Sequence, residues 1–177
     1  MNLIIFYTIS VFLTLLIISY TFYIFYLQLI PGAFYYPSVE KDIQSLIKSV
    51  KPKSKDIFVD LGSGDGRIII AAAKMGIKSV GYELNPTLFY KSTKKIKKLH
   101  LSHLAKIKLK NFWKIDFNSI DIIYVYQFPK YIKKLEKILN QTNHSITVIS
   151  YRYPFPHQKP YLIKNQAFFY KFHKYRN

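Results

Sequence analysis

The chain has 177 residues and a formal net charge of +18, with 27 Lys and Arg against 9 Asp and Glu. This length fits one domain and a short additional segment, and the basic balance favours acidic partners such as nucleic acid or anionic lipid headgroups. The absence of cysteine excludes disulfides and thiolate metal sites.

The N-terminal segment Asn2–Ile30 contains no charged residue. Its apolar run Leu3–Leu29 exceeds the roughly 20 residues that cross a hydrocarbon core. A cleaved signal peptide would have a basic start and a shorter apolar centre, and neither is present. The sequence therefore predicts a single-pass transmembrane anchor over residues 1–30. All 27 basic residues follow it, so the positive-inside rule predicts that the C-terminal domain lies on the cytoplasmic, or mitochondrial matrix, side.

Residues 31–55 are predicted to form a linker followed by an amphipathic helix. Pro31 and Gly32 end the apolar segment. Ser38 is a favourable N-cap, and apolar residues then recur at helical spacing over 39–50. A helix with one apolar face requires a partner surface to pack against.

Residues 56–177 are predicted to form one α/β domain. Strand and helix patterns alternate over 56–151, which is typical of βαβ units and of a mostly parallel sheet covered on both faces. The predicted elements are strands over 56–61, 79–83, 105–112, 120–126, 146–151, 161–164 and 167–172, and helices over 67–75, 86–101 and 130–139.

A glycine-rich turn, VDLGSGDGR over residues 59–67, follows the first predicted strand. Such a turn lets a ligand contact the backbone, with amide donors at the N-terminus of the next helix. Dinucleotide-binding turns have the spacing G-x-G-x-x-G, but Arg67 occupies the position of the third glycine. The observed spacing is G-x-G-x-G with an acid at Asp60, so the dinucleotide fingerprint fails.

Two further strand ends carry residues of the kind that bind ligands. Glu83 ends the second predicted strand, where a carboxylate can accept hydrogen bonds from ribose hydroxyls. Asn111 and Phe112 end the third, where an amide can meet an adenine edge and a ring its face. Asn85 is a predicted helix N-cap, with ligand contact as a secondary role. Three strand ends thus present ligand-type residues in the order that an open α/β sheet requires.

The segments VDLGSGDGR, GYELNP, NFW and RYPFPHQKP together resemble class I S-adenosylmethionine-dependent methyltransferases. More narrowly, they resemble the small membrane-anchored protein-lysine methyltransferases. That group includes mitochondrial enzymes that act on ATP synthase subunit c and on adenine nucleotide translocase. The resemblance covers about residues 34–160 and extends to the apolar N-terminus. It implies a Rossmann-like seven-stranded methyltransferase sheet behind one transmembrane helix, S-adenosylmethionine as cofactor, and N-methylation of a lysine on a membrane or membrane-adjacent protein.

The resemblance also implies roles for individual residues. Asp60 and the glycines of the turn would line the methionine part of the cofactor, and Glu83 would bind its ribose. Asn111 stands where the family more often has Asp. The predicted cofactor-binding residues are Asp60, Gly62, Ser63, Gly64, Asp65, Gly66, Glu83, Asn85, Asn111, Phe112 and Gln127.

The resemblance also implies that the methyl acceptor lies beside Gln127, Phe128 and Pro129, which follow the fourth predicted strand and belong to the segment YQFP, residues 126–129. Methyltransferases that act on nucleic-acid bases usually have Asn or Asp followed by Pro-Pro-aromatic there, so YQFP argues against that class. A lysine acceptor must lose a proton, and burial among aromatic rings lowers the pKa of an amine. Tyr36 and Tyr151 are therefore the predicted walls of an acceptor channel. The sequence shows no obvious general base, and water is expected to take the proton.

Two other functions remain open. One is an RNA or small-molecule methyltransferase whose basic surface recruits an anionic substrate. The other is a non-catalytic membrane scaffold that binds S-adenosylmethionine, although the complete glycine turn with Asp60 and Glu83 argues against it. No metal site is predicted, because no acid or cysteine completes a ligand set with His100 and His103.

Overall fold

The computed structural model describes residues 2–29 and 43–173. The chain divides into two compact units, residues 1–34 and residues 35–177. The predicted linker and its N-cap Ser38 lie outside the described residues. The domain boundaries drawn from the sequence stay predictions.

The first unit contains one long helix, α1 (Asn2–Leu29). Its stretch Leu3–Tyr26 is, by length and composition, apolar enough to cross a membrane. Thr8, Thr14 and Thr21 donate their hydroxyls to carbonyl oxygens one turn back, at 2.7–2.9 Å. These polar side chains are thus satisfied within the helix, as a lipid environment requires. An N-terminal signal sequence meets the same criteria of length and composition, so the anchor and its orientation stay predictions.

The second unit is built around a seven-stranded sheet. Its elements are α2 (Ile43–Ser49), β1 (Ile57–Leu61), α3 (Arg67–Lys74), β2 (Lys78–Glu83), α4 (Pro86–Lys98), β3 (Ala105–Leu109), β4 (Ile122–Val125), α5 (Pro129–Leu139), β5 (Ile146–Tyr151), β6 (Leu162–Lys164) and β7 (Ala167–Phe172), with 3₁₀ turns at Phe112–Lys114 and Phe117–Ser119. The strand order is β3-β2-β1-β4-β5-β7-β6. Neighbouring strands are parallel except for β7, which is antiparallel to β5 and β6. The predicted Rossmann-like, seven-stranded α/β fold is confirmed.

The two faces of the sheet bury separate apolar cores, because successive residues of a strand point to opposite sides. In β1, Phe58 belongs to the core shared with α2, α3 and α4, whereas Val59 belongs to the core shared with α5. Tyr124 and Val125 repeat this alternation in β4. Burial of both faces explains why β4 is a continuous apolar run rather than an alternating one.

The third strand is shorter than the sequence predicts. It ends at Leu109, whereas the sequence pattern extends it to Phe112. The Asn111 side-chain oxygen accepts a hydrogen bond from the Trp113 amide at 3.0 Å and caps a 3₁₀ turn. This local bond offers the backbone an alternative to the strand ladder, so the chain leaves the sheet before Asn111.

Helix α5 buries part of the face that its apolar pattern predicts, since Leu135 is buried and Ile138 packs against the core. That pattern places Tyr131, Leu135 and Ile138 inward, but Tyr131 and Ile138 are only half-buried. The acid Glu136 lies on the buried face of the helix. Apolar periodicity cannot predict its burial, because the groups that bind its carboxylate belong to His157, in a loop distant along the chain. The buried residues of the helix are Ile132, Leu135, Glu136 and Leu139.

Glu136 holds the segment after β5 against α5. Its side chain is buried, and its two carboxylate oxygens lie 2.9 Å from the backbone nitrogen and from Nδ1 of His157. We expect Glu136→Ala to lower the free energy of unfolding by about 2 kcal/mol, because both of these bonds are lost. Urea unfolding measures the change, with the exposed Lys133→Ala on the same helix as control. Equal unfolding free energies for the two variants would contradict this role.

Candidate functional site

The loops after β1, β2 and β4 lie at one edge of the sheet. β1 runs parallel between the other two strands, with Leu61 opposite Tyr82 on one side and Val125 on the other. The three strands therefore end side by side. In open α/β sheets, ligands bind in the crevice beyond these strand ends.

The glycine turn after β1 depends on glycines in the left-handed region. Gly62, Gly64 and Gly66 have φ values of +93°, +52° and +78°, which residues with a side chain rarely adopt. The turn is fastened to β2, since the amides of Gly62 and Ser63 both donate to the Tyr82 carbonyl oxygen, at 3.0 and 2.9 Å. Contacts within the protein thus hold the turn in shape.

Glu83 connects the end of β2 to the glycine turn. Its buried carboxylate accepts hydrogen bonds from the backbone amides of Gly64, Leu84 and Asn85 at 2.7–2.8 Å. Burial raises the pKa of Glu83, and the three amide bonds oppose that rise. A carboxylate has about four acceptor positions, so a hydroxyl donor can still be accommodated. The ribose contact of Glu83 stays a prediction, and the structure shows a role that the sequence did not indicate, the ordering of the turn.

Asp60 is a buried acid close to Glu83. It is 4% exposed, and burial raises its pKa well above the usual range, with the charges of Glu83 and Asp65 raising it further. Within residues 43–173, no hydrogen bond reaches the Asp60 carboxylate. A nearby cation would favour the ionised form, so these groups fit a ligand that carries positive charge beside its polar groups.

Asp65 and Arg67 form an ion pair at the start of α3. Arg67 Nε lies 2.9 Å from Asp65 Oδ1, and Nη2 lies 3.0 Å from Oδ2, which is a bidentate geometry. Burial raises the pKa of Asp65, but the guanidinium outweighs this effect and the net pKa is lowered. Arg67 is thus engaged with Asp65, and the cofactor contact of Asp65 stays a prediction.

The other predicted cofactor contacts lie in three kinds of environment. Gln127 is buried against the turn, because a Cβ on Gly62 would be 3.2 Å from its Nε2 atom. The side-chain oxygens of Asn85 and Asn111 accept backbone amides and cap α4 and a 3₁₀ turn. Phe112 is 4% exposed and packs in the core on the α5 side. The structure therefore places Gln127 beside the turn, and the cofactor contacts of all four residues stay predictions.

An aromatic cluster lies at the ends of β4 and β5. Tyr151 is buried, with its ring centroid 5.3 Å from that of Tyr126 and 6.4 Å from that of Tyr124. Tyr153 stacks on Tyr126 at 6.3 Å, and Phe128 lies 6.2 Å from Tyr153. The sequence pointed to Tyr151 but not to Tyr126. The parallel pairing of β4 with β5 is the signal that joins them.

Tyr36, the other predicted wall of the acceptor channel, lies outside the described residues, and its role stays a prediction. In the part of the chain that the structure describes, no group of three or more His, Asp or Glu side chains is arranged to hold a metal ion. The groups described at this edge are the backbone turn, two buried acids and the aromatic cluster.

The strand order and the glycine turn define a methyltransferase fold. An RNA methyltransferase from Salinibacter ruber, solved in complex with S-adenosyl-L-homocysteine, aligns with a TM-score of 0.71 and 25% identity over 80% of this chain and 95% of its own. The ANTKMT methyltransferase domain family matches residues 60–162, which include the turn, Glu83 and the whole aromatic cluster. The chain belongs to this family.

Curated relatives are similar over most of the α/β unit. A lysine N-methyltransferase of Homo sapiens, named for the C subunit of ATP synthase, is 37% identical over 125 residues, 70% of this chain and 53% of the human protein. A protein-lysine N-methyltransferase of Saccharolobus islandicus is 29% identical over 70% of this chain and 79% of its own. The adenine nucleotide translocase lysine N-methyltransferase of Mus musculus is 33% identical over 62% and 49%. The chain thus spans about half the length of the mammalian relatives.

Proposed function

We propose that this protein is an S-adenosylmethionine-dependent methyltransferase that methylates the ε-amine of a lysine on a membrane or membrane-adjacent protein. The observation that carries the proposal is the pair of buried acids at the glycine turn, Asp60 and Glu83. Asp60 fits a cationic ligand, and Glu83 fits a ribose. The human, Saccharolobus and mouse relatives, all named for lysine methylation, support the acceptor class.

The chain's own groups would bind and orient the cofactor. The amides of the turn and the Glu83 carboxylate position its methionine and ribose parts, and Asp60 is held ionised by its positive charge. S-adenosylmethionine supplies a methyl group already activated by the sulfonium. With the cofactor bound, the neutral lysine amine would accept the methyl group, the electrons of the broken S–C bond would stay with sulfur, and the methylated nitrogen would release its extra proton to water.

The tyrosines at the ends of β4 and β5 would form the acceptor wall. A lysine attacks only as the neutral amine, and removal from water beside Tyr126 and Tyr151 lowers its pKa. The faces of these rings also suit an ammonium that gains methyl groups, because the ring quadrupole attracts a cation. The contact of Tyr126 with Tyr151, at 5.3 Å, supports a common wall.

Helix α1 would confine the enzyme to the bilayer and raise its effective concentration toward lysines at the membrane surface. Its uncharged span Leu3–Tyr26 supports a single-pass anchor. Because every Lys and Arg follows the helix, the catalytic domain would lie on the cytoplasmic or matrix side, where S-adenosylmethionine is present.

RNA methylation is the second candidate function. The Salinibacter ruber neighbour is an RNA methyltransferase, and the net charge of +18 suits a polyanion. The segment YQFP at residues 126–129 opposes base methylation, because it lacks the Asn or Asp followed by Pro-Pro that is usual there. We therefore place RNA behind a protein lysine.

The test is to incubate the full-length protein with native membranes and S-adenosylmethionine carrying a labelled methyl group. We expect label in a protein band that protease removes and nuclease does not, and methyllysine after acid hydrolysis. Asp60→Asn is the inactive control. Nuclease-sensitive label would favour RNA, and absence of cofactor binding by calorimetry would overturn both functions.

A further inference from the structure

Arg152, directly after β5, has an unusual backbone for a residue with a side chain. Its φ is +66°, and the Tyr153 amide donates to the Tyr151 carbonyl oxygen at 2.9 Å, closing a three-residue turn around it. A γ-turn with positive φ at its centre is rare and strained, and glycine fits that position best. Its own amide donates to the Gln166 carbonyl oxygen at 2.7 Å, so the β7 side of the sheet holds the turn in place.

The strained turn directs the Arg152 side chain onto the aromatic cluster. Its Nη1 donates to the Tyr126 hydroxyl at 3.1 Å, and its Cζ lies 5.8 Å from the Tyr126 ring centroid and 5.9 Å from that of Tyr151. One guanidinium therefore bridges the residue after β4 and the last residue of β5. In the described part of the chain, no carboxylate forms an ion pair with it.

The stability that these contacts add to the fold does not explain why an arginine occupies position 152. The guanidinium is exposed, and both an exposed cation–π contact and an exposed hydrogen bond contribute little net stability. The backbone strain is of similar size and opposite sign. Glycine would serve the fold about equally well, so the bridging side chain requires another explanation.

We propose that Arg152 is a positioning residue for the methyl acceptor, acting through Tyr126 and Tyr151. This inference rests on the proposed methyltransferase function. By holding the Tyr126 hydroxyl and lying beside both rings, Arg152 keeps the acceptor wall in one arrangement, so the incoming amine is aligned with the methyl group. Misplacement of a reacting group by about 1 Å can cost up to 100-fold in rate.

The test compares four variants of the full-length protein: Arg152→Gly, Tyr126→Phe, the double variant, and His100→Gly. His100 is a matched control, because it is exposed and has a φ of +55° at the end of α4. The measurements are melting temperature, S-adenosylmethionine affinity by calorimetry, and kcat for methyl transfer to the labelled membrane band at saturating cofactor.

We expect Arg152→Gly to keep the melting temperature and cofactor affinity of the wild type while lowering kcat about tenfold or more. Tyr126→Phe should lower kcat as well, and the double variant should be no slower than the worse single variant, which is the signature of a shared pathway. His100→Gly should match the wild type in all three measurements.

Three results would overturn the inference. Wild-type kcat in Arg152→Gly would show that the bridge is dispensable. A lowered melting temperature with unchanged kcat would make Arg152 a structural clamp, and additive losses in the double variant would show that it does not act through Tyr126. If the wild-type protein itself transfers no methyl group to lysine, the proposed function fails first, and this inference fails with it.

Discussion

Asp60→Asn is expected to weaken S-adenosylmethionine binding by about 100-fold and to raise the melting temperature of the cofactor-free protein by a few degrees. The first effect follows because the neutral amide cannot pair with the positive charge of the cofactor, and 100-fold corresponds to about 2.7 kcal/mol. The second follows because the wild-type fold holds a buried acid without a hydrogen bond from any residue in 43–173.

The pH dependence of this effect has a definite sign. The folded-state pKa of Asp60 is raised above its ordinary value of 3.8, mainly by burial. Its stabilising contribution is therefore complete below pH 3.8 and is lost as pH rises through the folded-state pKa. The cofactor-free wild type should lose stability over this range, and Asp60→Asn should lose less. Cofactor affinity should rise over the same range, because the cation prefers the ionised acid.

Thermal unfolding between pH 4 and pH 8, with and without cofactor, measures both effects. Asp116→Asn is the control, since Asp116 is an exposed cap and Asn caps about as well. Cofactor affinity in Asp60→Asn within tenfold of the wild type, or a lower melting temperature at pH 7, would contradict the assignment of Asp60.

The second large effect is expected at Gly81, in the middle of β2. A Cβ at this position would lie 2.5 Å from both Cβ and Oγ of Ser63 and 2.7 Å from Cδ1 of Ile107. Gly81→Ala must therefore displace the glycine turn from the sheet, and we expect a loss of about 3 kcal/mol in unfolding free energy. Cofactor affinity should fall as well, because Ser63 belongs to the turn.

Gly76→Ala is the matched control for this variant. Unlike Gly81, Gly76 has a positive φ, +79°, and nothing lies within 4 Å of its Cβ position, so only backbone strain of about 1 kcal/mol is expected. Urea unfolding and calorimetry on both variants separate steric displacement from loss of a glycine. Equal losses in the two variants, or normal cofactor affinity in Gly81→Ala, would show that the turn tolerates the displacement.

Local signals in the sequence were sufficient for most of the fold. The predicted strands 146–151 and 167–172 coincide with β5 and β7, because a buried strand bounded by turn residues has a pattern that its own residues define. Glu83 was found in the same way, from its position at the end of a strand after a glycine turn. The sequence patterns gave a wrong result in two places, each involving a polar side chain. Asn111 caps a 3₁₀ turn where the pattern extends β3, and Glu136 is buried where the pattern of α5 expects apolar residues.

The sequence by itself determined the α/β alternation, the glycine turn and the apolar N-terminal helix, because each depends on neighbours along the chain. Only the tertiary structure decided that Ser63 packs on Gly81, that Asp60 lacks a partner in the described unit, and that Arg152 bridges two tyrosines. The contacts of Ser63 with Gly81 and of Arg152 with the tyrosines join residues that are far apart in the sequence. They form because β1 pairs with β2, and β4 with β5, in a particular register, which the pattern within a single strand does not specify.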